Sequence, residues 1–224
     1  MPESTGLEAG VAAYRHGDYA TALAVFTQHA EAGNAEAQLW LGALYANGEG
    51  VPSDMRAAYH WSECAAKQGH PVAQANLGAM LTIGQGVAQD HVAAAQWLIL
   101  AAKQGDARAQ FDLASLYVKG LGVPEDHATA AAWYERAARS GHFPAQARLG
   151  HLYASGLGVA KDRVRAFLWL SLAAQHGFGT ALQALEELGR QMSIEEKGAG
   201  RNLLDQWRRQ LGRDDGMLLD PVLA

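Results

Sequence analysis

The chain has 224 residues, 49% of them hydrophobic, enough apolar material for a folded core and too little for a membrane protein. The longest apolar window, Val92 to Ala102, is broken by Gln96 and is about half the length a bilayer span needs. The net charge of −5 lacks the basic footprint of a nucleic-acid binder, and a single cysteine, Cys64, excludes an internal disulfide.

The first residues, MPESTGLEAG, carry no basic start and no apolar h-region, so no secretory signal is visible. The expected location is cytoplasmic. A periplasmic form from which a signal had been removed is the alternative. Cys64 is expected to be a small buried hydrophobe.

Residues 1–34 are expected to form an N-terminal helix pair. Tyr14-x-x-Gly17 ends its first helix, Asp18 follows at once, and the second helix runs over about Tyr19–Glu31. Four near-copies of one 36-residue unit come next, over 35–70, 71–106, 107–142 and 143–178. Column three is always alanine (Ala37, Ala73, Ala109, Ala145) and column four always glutamine (Gln38, Gln74, Gln110, Gln146). Column seven is leucine (Leu41, Leu77, Leu113, Leu149), and column eight is Gly42, Gly78, Ala114 or Gly150. Tyr45, Leu81, Tyr117 and Tyr153 fill column eleven. The spacing predicts a helix with one apolar stripe, and the small eighth residue lets another helix come close.

Each unit continues with G-x-G-V, from Gly48, Gly84, Gly120 and Gly156. The first glycine is placed for a left-handed helix C-cap, and the valine for tucking the loop onto the core. No strand precedes the glycines and no lysine follows at phosphate-loop spacing, which excludes that reading. Asp54, Asp90, Asp126 and Asp162 then stand where a second helix needs an N-cap. Their recurrence in every unit argues for structure, not catalysis. The second helix carries Trp61, Trp97, Trp133 and Trp169, expected as core, and ends at Gly69, Gly105, Gly141 and Gly177. Neither helix can bury its stripe alone, so stacked units must share a core.

Residues 179–211 are expected to cap the last unit. Ala181 and Leu185 keep the register, Ser193-Ile-Glu-Glu196 forms a capping box, and a last helix follows to about Leu211 with Leu204, Trp207 and Leu211 on one face. The tail 212–224 is expected to be flexible, with a Met217-Leu218-Leu219 patch able to dock on its own chain or a neighbour.

The pattern A-x-A-Q-x-x-L-G-x-x-Y-x-x-G-x-G-V-x-x-D, then A-x-x-W-x-x-x-A-A-x-x-G, resembles the Sel-1-like repeat family over residues 35–178. This family is related to tetratricopeptide repeats, and residues 6–34 resemble a plainer tetratricopeptide unit, with Val25 and Phe26 in place of the tryptophan. The resemblance implies an all-α fold, a right-handed α-α superhelix of helix-loop-helix repeats. It implies a scaffold or adaptor, often in bacterial complexes. Secreted members carry a cysteine pair in each repeat, which this chain lacks.

The resemblance also implies that first helices line a concave face. Outward columns there hold Leu39, Trp40, Asn47, Asn76, Thr82, Arg108, Phe111, Val118, Lys119, Arg148, His151 and Ser155. Leu39, Trp40 and Phe111 are either apolar anchors for a partner peptide or packing between adjacent first helices. Asn47, Asn76, Lys119 and Arg148 have the groups to hold an extended backbone or a carboxylate.

No H-E-x-x-H, G-x-S-x-G, Walker loop or C-x-x-C occurs. His91 and His127 share one column, about 10 Å apart at helix-packing distance, too far for one zinc ion. His70 and His142 follow turn glycines as solvated residues or weak caps. No catalytic residue, metal or cofactor is therefore expected. The expected function is recognition of a protein or peptide segment on the concave face, without nucleic acid. Self-association through the solenoid ends and tail is the alternative, and a hydrolase-type enzyme the remote one.

Overall fold

The computed structural model describes the backbone of residues 3–214 and the side chains of residues 6–210. The tail patch Met217-Leu218-Leu219 and the side chain of Leu211 lie outside the described residues. Twelve α-helices and no strand occur among the described residues, the all-α solenoid class of helix-loop-helix repeats. The chain divides into two compact units, Met1–Glu125 and Asp126–Ala224. The division falls inside the third 36-residue copy, between its two helices.

The first unit holds α1 (Glu3–Arg15), α2 (Tyr19–Glu31), α3 (Ala35–Asn47), α4 (Met55–Lys67), α5 (Pro71–Ile83), α6 (His91–Lys103) and α7 (Ala107–Lys119). Consecutive helices within the unit, from α1 through α7, pack on one another in chain order. Phe26, Leu41 and Leu44 are wholly buried in one cluster, and Leu77 with Ala65, Ala73 and Ala94 in the next. Burying one such leucine contributes roughly 1.5–3 kcal/mol.

The second unit holds α8 (His127–Arg139), α9 (Phe143–Ser155), α10 (Arg163–Gln175), α11 (Gly179–Gln191) and α12 (Ile194–Asp214). Here α10 packs against α9, α11 and α12. The last helix runs three residues past the expected Leu211. Its capping box forms as expected, with Ser193 N donating to Glu196 Oε2 at 2.8 Å and Glu196 N to Ser193 Oγ at 3.1 Å. Trp207 meets the buried Trp169 edge-on at 5.0 Å.

The four repeated aspartates are N-caps: each carboxylate accepts a backbone N–H of the helix it precedes. His70 and His142 do the same for α5 and α9 through Nδ1. The first loop glycine is the left-handed C-cap, φ +63° to +79° at Gly48, Gly84, Gly120 and Gly156. The second has a different reason. A methyl group on Gly50 would lie 2.6 Å from Tyr19 O, and on Gly86, Gly122 or Gly158 it would overlap the carbonyl of Met55, His91 or His127. The loop of each unit is thus seated on the first turn of the preceding second helix.

The glutamine column is a second tie between hairpins. Gln38, Gln74, Gln110 and Gln146 are all buried. Each Nε2 donates to a carbonyl eight residues back, at Ala30, Ala66, Ala102 and Ala138. A buried amide must find such partners or cost stability.

Two expectations need correction. Cys64 is half-buried, with Sγ 3.8 Å from His60 Nε2; helical spacing from Trp61 places it at the edge of the apolar stripe. Of the four repeated tryptophans only Trp169 is fully buried, at 3% exposure, because α12 covers it. Trp61 and Trp97 cover the rims of the two clusters, and Trp133 lies half-buried under the Arg136 guanidinium at 4.5 Å.

Candidate functional site: a groove between first helices

Column eight determines the shape of the first-helix face. At Gly42, an added Cβ would meet Ser62 Oγ at 3.2 Å and Ala58 O at 3.3 Å. Helix α4 therefore approaches α3 closely enough for its side chains to show through. Column nine is Ala43 and Ala79, so nothing bulky fills the space between α3 and α5. The result is a groove of about 300 Å³ in the first unit. Gly42, Ala43, Ala46, Ala58, Ser62 and Ala79 supply small lining groups, joined by Met55 and Met80. Asn47, Asn76, Gln85 and Arg108 supply the polar groups.

Three of the outward residues expected from the sequence, Asn47, Asn76 and Arg108, thus meet in one place. Asn47 is exposed and donates from Nδ2 to Glu49 Oε2 at 3.2 Å. Glu49 also reaches Tyr14, whose hydroxyl is pushed above its usual range by burial first and by Glu49 second. Gln85 Nε2 lies 3.2 Å from Met55 Sδ. Arg108 is exposed, and it is the only charged side chain among the described residues lining the groove.

Leu39 and Trp40 are packing residues. Leu39 lies against the cluster around Leu77. Trp40 stacks on Phe26 at 5.5 Å, tilts against Tyr14 at 5.0 Å and donates Nε1–H to Glu36 Oε1 at 2.9 Å. Column six of the first copy faces the N-terminal helix pair, and that pair supplies the aromatic residues that surround this ring. Phe111 and Val118 are half-buried on α7, and Lys119 is exposed at its end. None of the three lines the groove. Thr82 turns inward and donates to Gly78 O at 2.8 Å.

Arg148 and His151 stand exposed on α9 in the second unit. The imidazole pKa of His151 is lowered by burial first and by the Arg148 charge second. Ser155 Oγ donates to His151 O at 2.9 Å.

Sequence reasoning passed over four residues. Ser62 and Met55 belong to the second helix α4; Ser62 reaches the groove beside Gly42, and Met55 beside Gln85. Gln85 is the variable residue of G-x-G, a position the repeat pattern leaves without a role. Asp112 shares column six with Asn76. It is half-buried, and its carboxyl pKa is raised by burial first, against the opposing pull of Arg108. Its column was the available signal. Among the described residues no group of three potential ligands is placed to hold a metal ion, and no helix is long and apolar enough to cross a membrane.

Stacked helix-loop-helix units define a helical-repeat protein. The Sel1 repeat model matches residues 35–70, 71–106, 107–142 and 144–178, and the chain belongs to the Sel1 repeat family. Proteins of this family generally act in protein–protein interaction and are typically non-enzymatic scaffolds. Two bacterial structures are similar along most of the chain. A protective antigen of uropathogenic Escherichia coli displaying an SLR fold is 30% identical over 91% of this chain, with a TM-score of 0.79. This chain spans 45% of that antigen's length. A Sel1 repeat protein from Oxalobacter formigenes is 34% identical over 80% of this chain and 74% of its own, with a TM-score of 0.74. An immunity protein from Pseudomonas aeruginosa, 22% identical over 77% of this chain and 68% of its own with a TM-score of 0.51, shares the fold alone. No curated protein matches the sequence.

Proposed function

We propose that this protein is a non-enzymatic scaffold whose first-helix face holds an extended segment of a partner protein, with the groove between α3 and α5 as its central contact. The observation that carries this reading is the pairing of amide groups at Asn47, Asn76 and Gln85 with lining residues too small to fill the space. Amides present both donors and acceptors, which is what an extended backbone requires. The open lining of glycine, alanine and serine leaves room for the segment's side chains. The scaffold is preformed, so binding orders the guest and little of the host. Phe111, Val118 and Lys119 on α7, with Arg148 and His151 on α9, serve as further contacts on their own first helices.

Affinity capture followed by mass spectrometry tests the reading, with the Asn47→Ala/Asn76→Ala double variant as control. Both residues lie outside the buried core, so circular dichroism should show an unchanged fold while the captured partners are lost. Identical partners on both baits would remove the groove from the function.

A further inference from the structure

We infer that the groove selects a segment carrying an acidic side chain, with Arg108 as the counter-charge. This rests on the groove being the binding site, and it adds the chemistry of the guest. The lining has one cation, three amides and no carboxylate among the described residues. A cation facing small apolar groups and amides favours a single negative charge, since charge complementarity sets selectivity more than bulk affinity. Glu49 is engaged with Asn47 and Tyr14 on one side.

Asp112, one helical turn beyond Arg108, does not line the groove. Its interaction with Arg108 is a charge attraction, and Asp106 opposes it from the helix cap. Asp112 therefore competes weakly for the guanidinium and repels an acidic guest, so the two residues should have opposite effects on binding. The small lining groups Ala43, Ala46 and Ala79 leave room on either side of the acid, so charge and not size sets the guest's central residue. The committed source of the charge is an Asp or Glu side chain within a passing segment, not a free chain end.

The test is an NMR titration of the full chain with N-acetylated, C-amidated nonapeptides of alternating glycine and alanine around a central Glu, Gln or Lys. The side-chain amide signals of Asn47 and Asn76 report the site. The Glu peptide should bind about tenfold tighter than the Gln peptide, with Lys weakest, and added salt should narrow the difference. Arg108→Gln should abolish the Glu preference, and Asp112→Asn should enlarge it, with binding of the Gln peptide unchanged in Asp112→Asn. Equal binding of Glu and Gln peptides overturns the inference, as does a preference that survives Arg108→Gln. Binding seen only when the peptide has a free C-terminal carboxylate overturns it in favour of a chain-end clamp. If no peptide moves the amide signals, the inference also fails, while the affinity-capture experiment still decides the groove's role separately.

Discussion

The first two repeats and the last two use the same buried glutamine column and complete it differently. In the first unit, Gln68 Nε2 donates to Gln38 Oε1 and Gln104 Nε2 to Gln74 Oε1, each at 2.8 Å. Both halves of those amides are satisfied. Gln110 Oε1, late in the first unit, and Gln146 Oε1, in the second, are buried without a partner, and the residue thirty positions beyond Gln146 is His176. His176 stacks instead on Phe143 at 4.4 Å. The donor bond that ties one hairpin to the next is common to both units, whereas the acceptor bond is optional. An orphaned buried acceptor costs stability that a neighbouring side chain can restore.

The largest expected effect tests what the units share. Gly86→Ala in the first unit and Gly158→Ala in the second each force a left-handed backbone on a residue with a Cβ and drive that Cβ into the carbonyl of Met55 or His127. Each should cost about 3 kcal/mol or more in chemical denaturation. Gly105→Ala and Gly177→Ala also stand at positive φ but face open space, and should cost only about 1–2 kcal/mol. Equal losses at all four positions would show that loop seating contributes nothing beyond backbone strain.

Trp40→Ala comes next. Removing a half-buried ring packed on Phe26 and Tyr14 should cost about 2–3 kcal/mol, read as a lowered unfolding midpoint. A variant that loses partner binding at unchanged stability would restore Trp40 to the interaction surface.

Much of this architecture was legible because it repeats. Asp54, Asp90, Asp126 and Asp162 could be read as caps, and Gly48 and its counterparts as helix ends, since each role is local and recurs in register. The second glycine was opaque, because its reason lies in the preceding unit, at Met55 or His91, some thirty residues away. The glutamine column was visible as a column but not as a bond to Ala30 or Ala66. The groove was half legible. Asn47, Asn76 and Arg108 follow from helical spacing, whereas Ser62 enters beside Gly42 and Met55 beside Gln85. Trp40 could not be assigned because its column faces solvent or core according to the neighbouring hairpin, and helical spacing does not carry that information.

The glutamine column itself yields smaller effects, unequal between its completed and its open positions. Gln104→Ala strands Gln74 Oε1 and breaks the bond to Gly69 O, at a cost of about 1 kcal/mol. His176→Gln supplies the missing length in the second unit and gives up the Phe143 stack. The two terms nearly offset, leaving a change within about 0.5 kcal/mol of zero. A loss of 2 kcal/mol at His176 would mean that the stack, not the amide, holds that end.

The smallest expected effect is a pH dependence that runs in opposite directions in the two units. The folded-state pKa of Asp112 is raised, by burial first, so the folded chain holds that proton more tightly than the unfolded one. Its ionisation therefore penalises the fold as pH rises from the unfolded value, about 3.9, through the folded one. Asp112→Asn should stabilise the chain at neutral pH, and the advantage should vanish at acid pH. His151 has a lowered folded-state pKa, from burial and then Arg148, so the unfolded chain binds its proton more readily. Its penalty is absent at alkaline pH and grows as pH falls from the unfolded value, about 6.5, through the folded one. His151→Gln should flatten the stability profile between about pH 7 and 5 and leave it unchanged above pH 8. Arg148→Gln in the same background as wild-type His151 should recover part of that flattening, since it removes the repelling charge and leaves the burial. Denaturation midpoints of the three variants across that range measure the three terms, and a His151→Gln profile parallel to wild type would show that the imidazole is solvated in the folded chain.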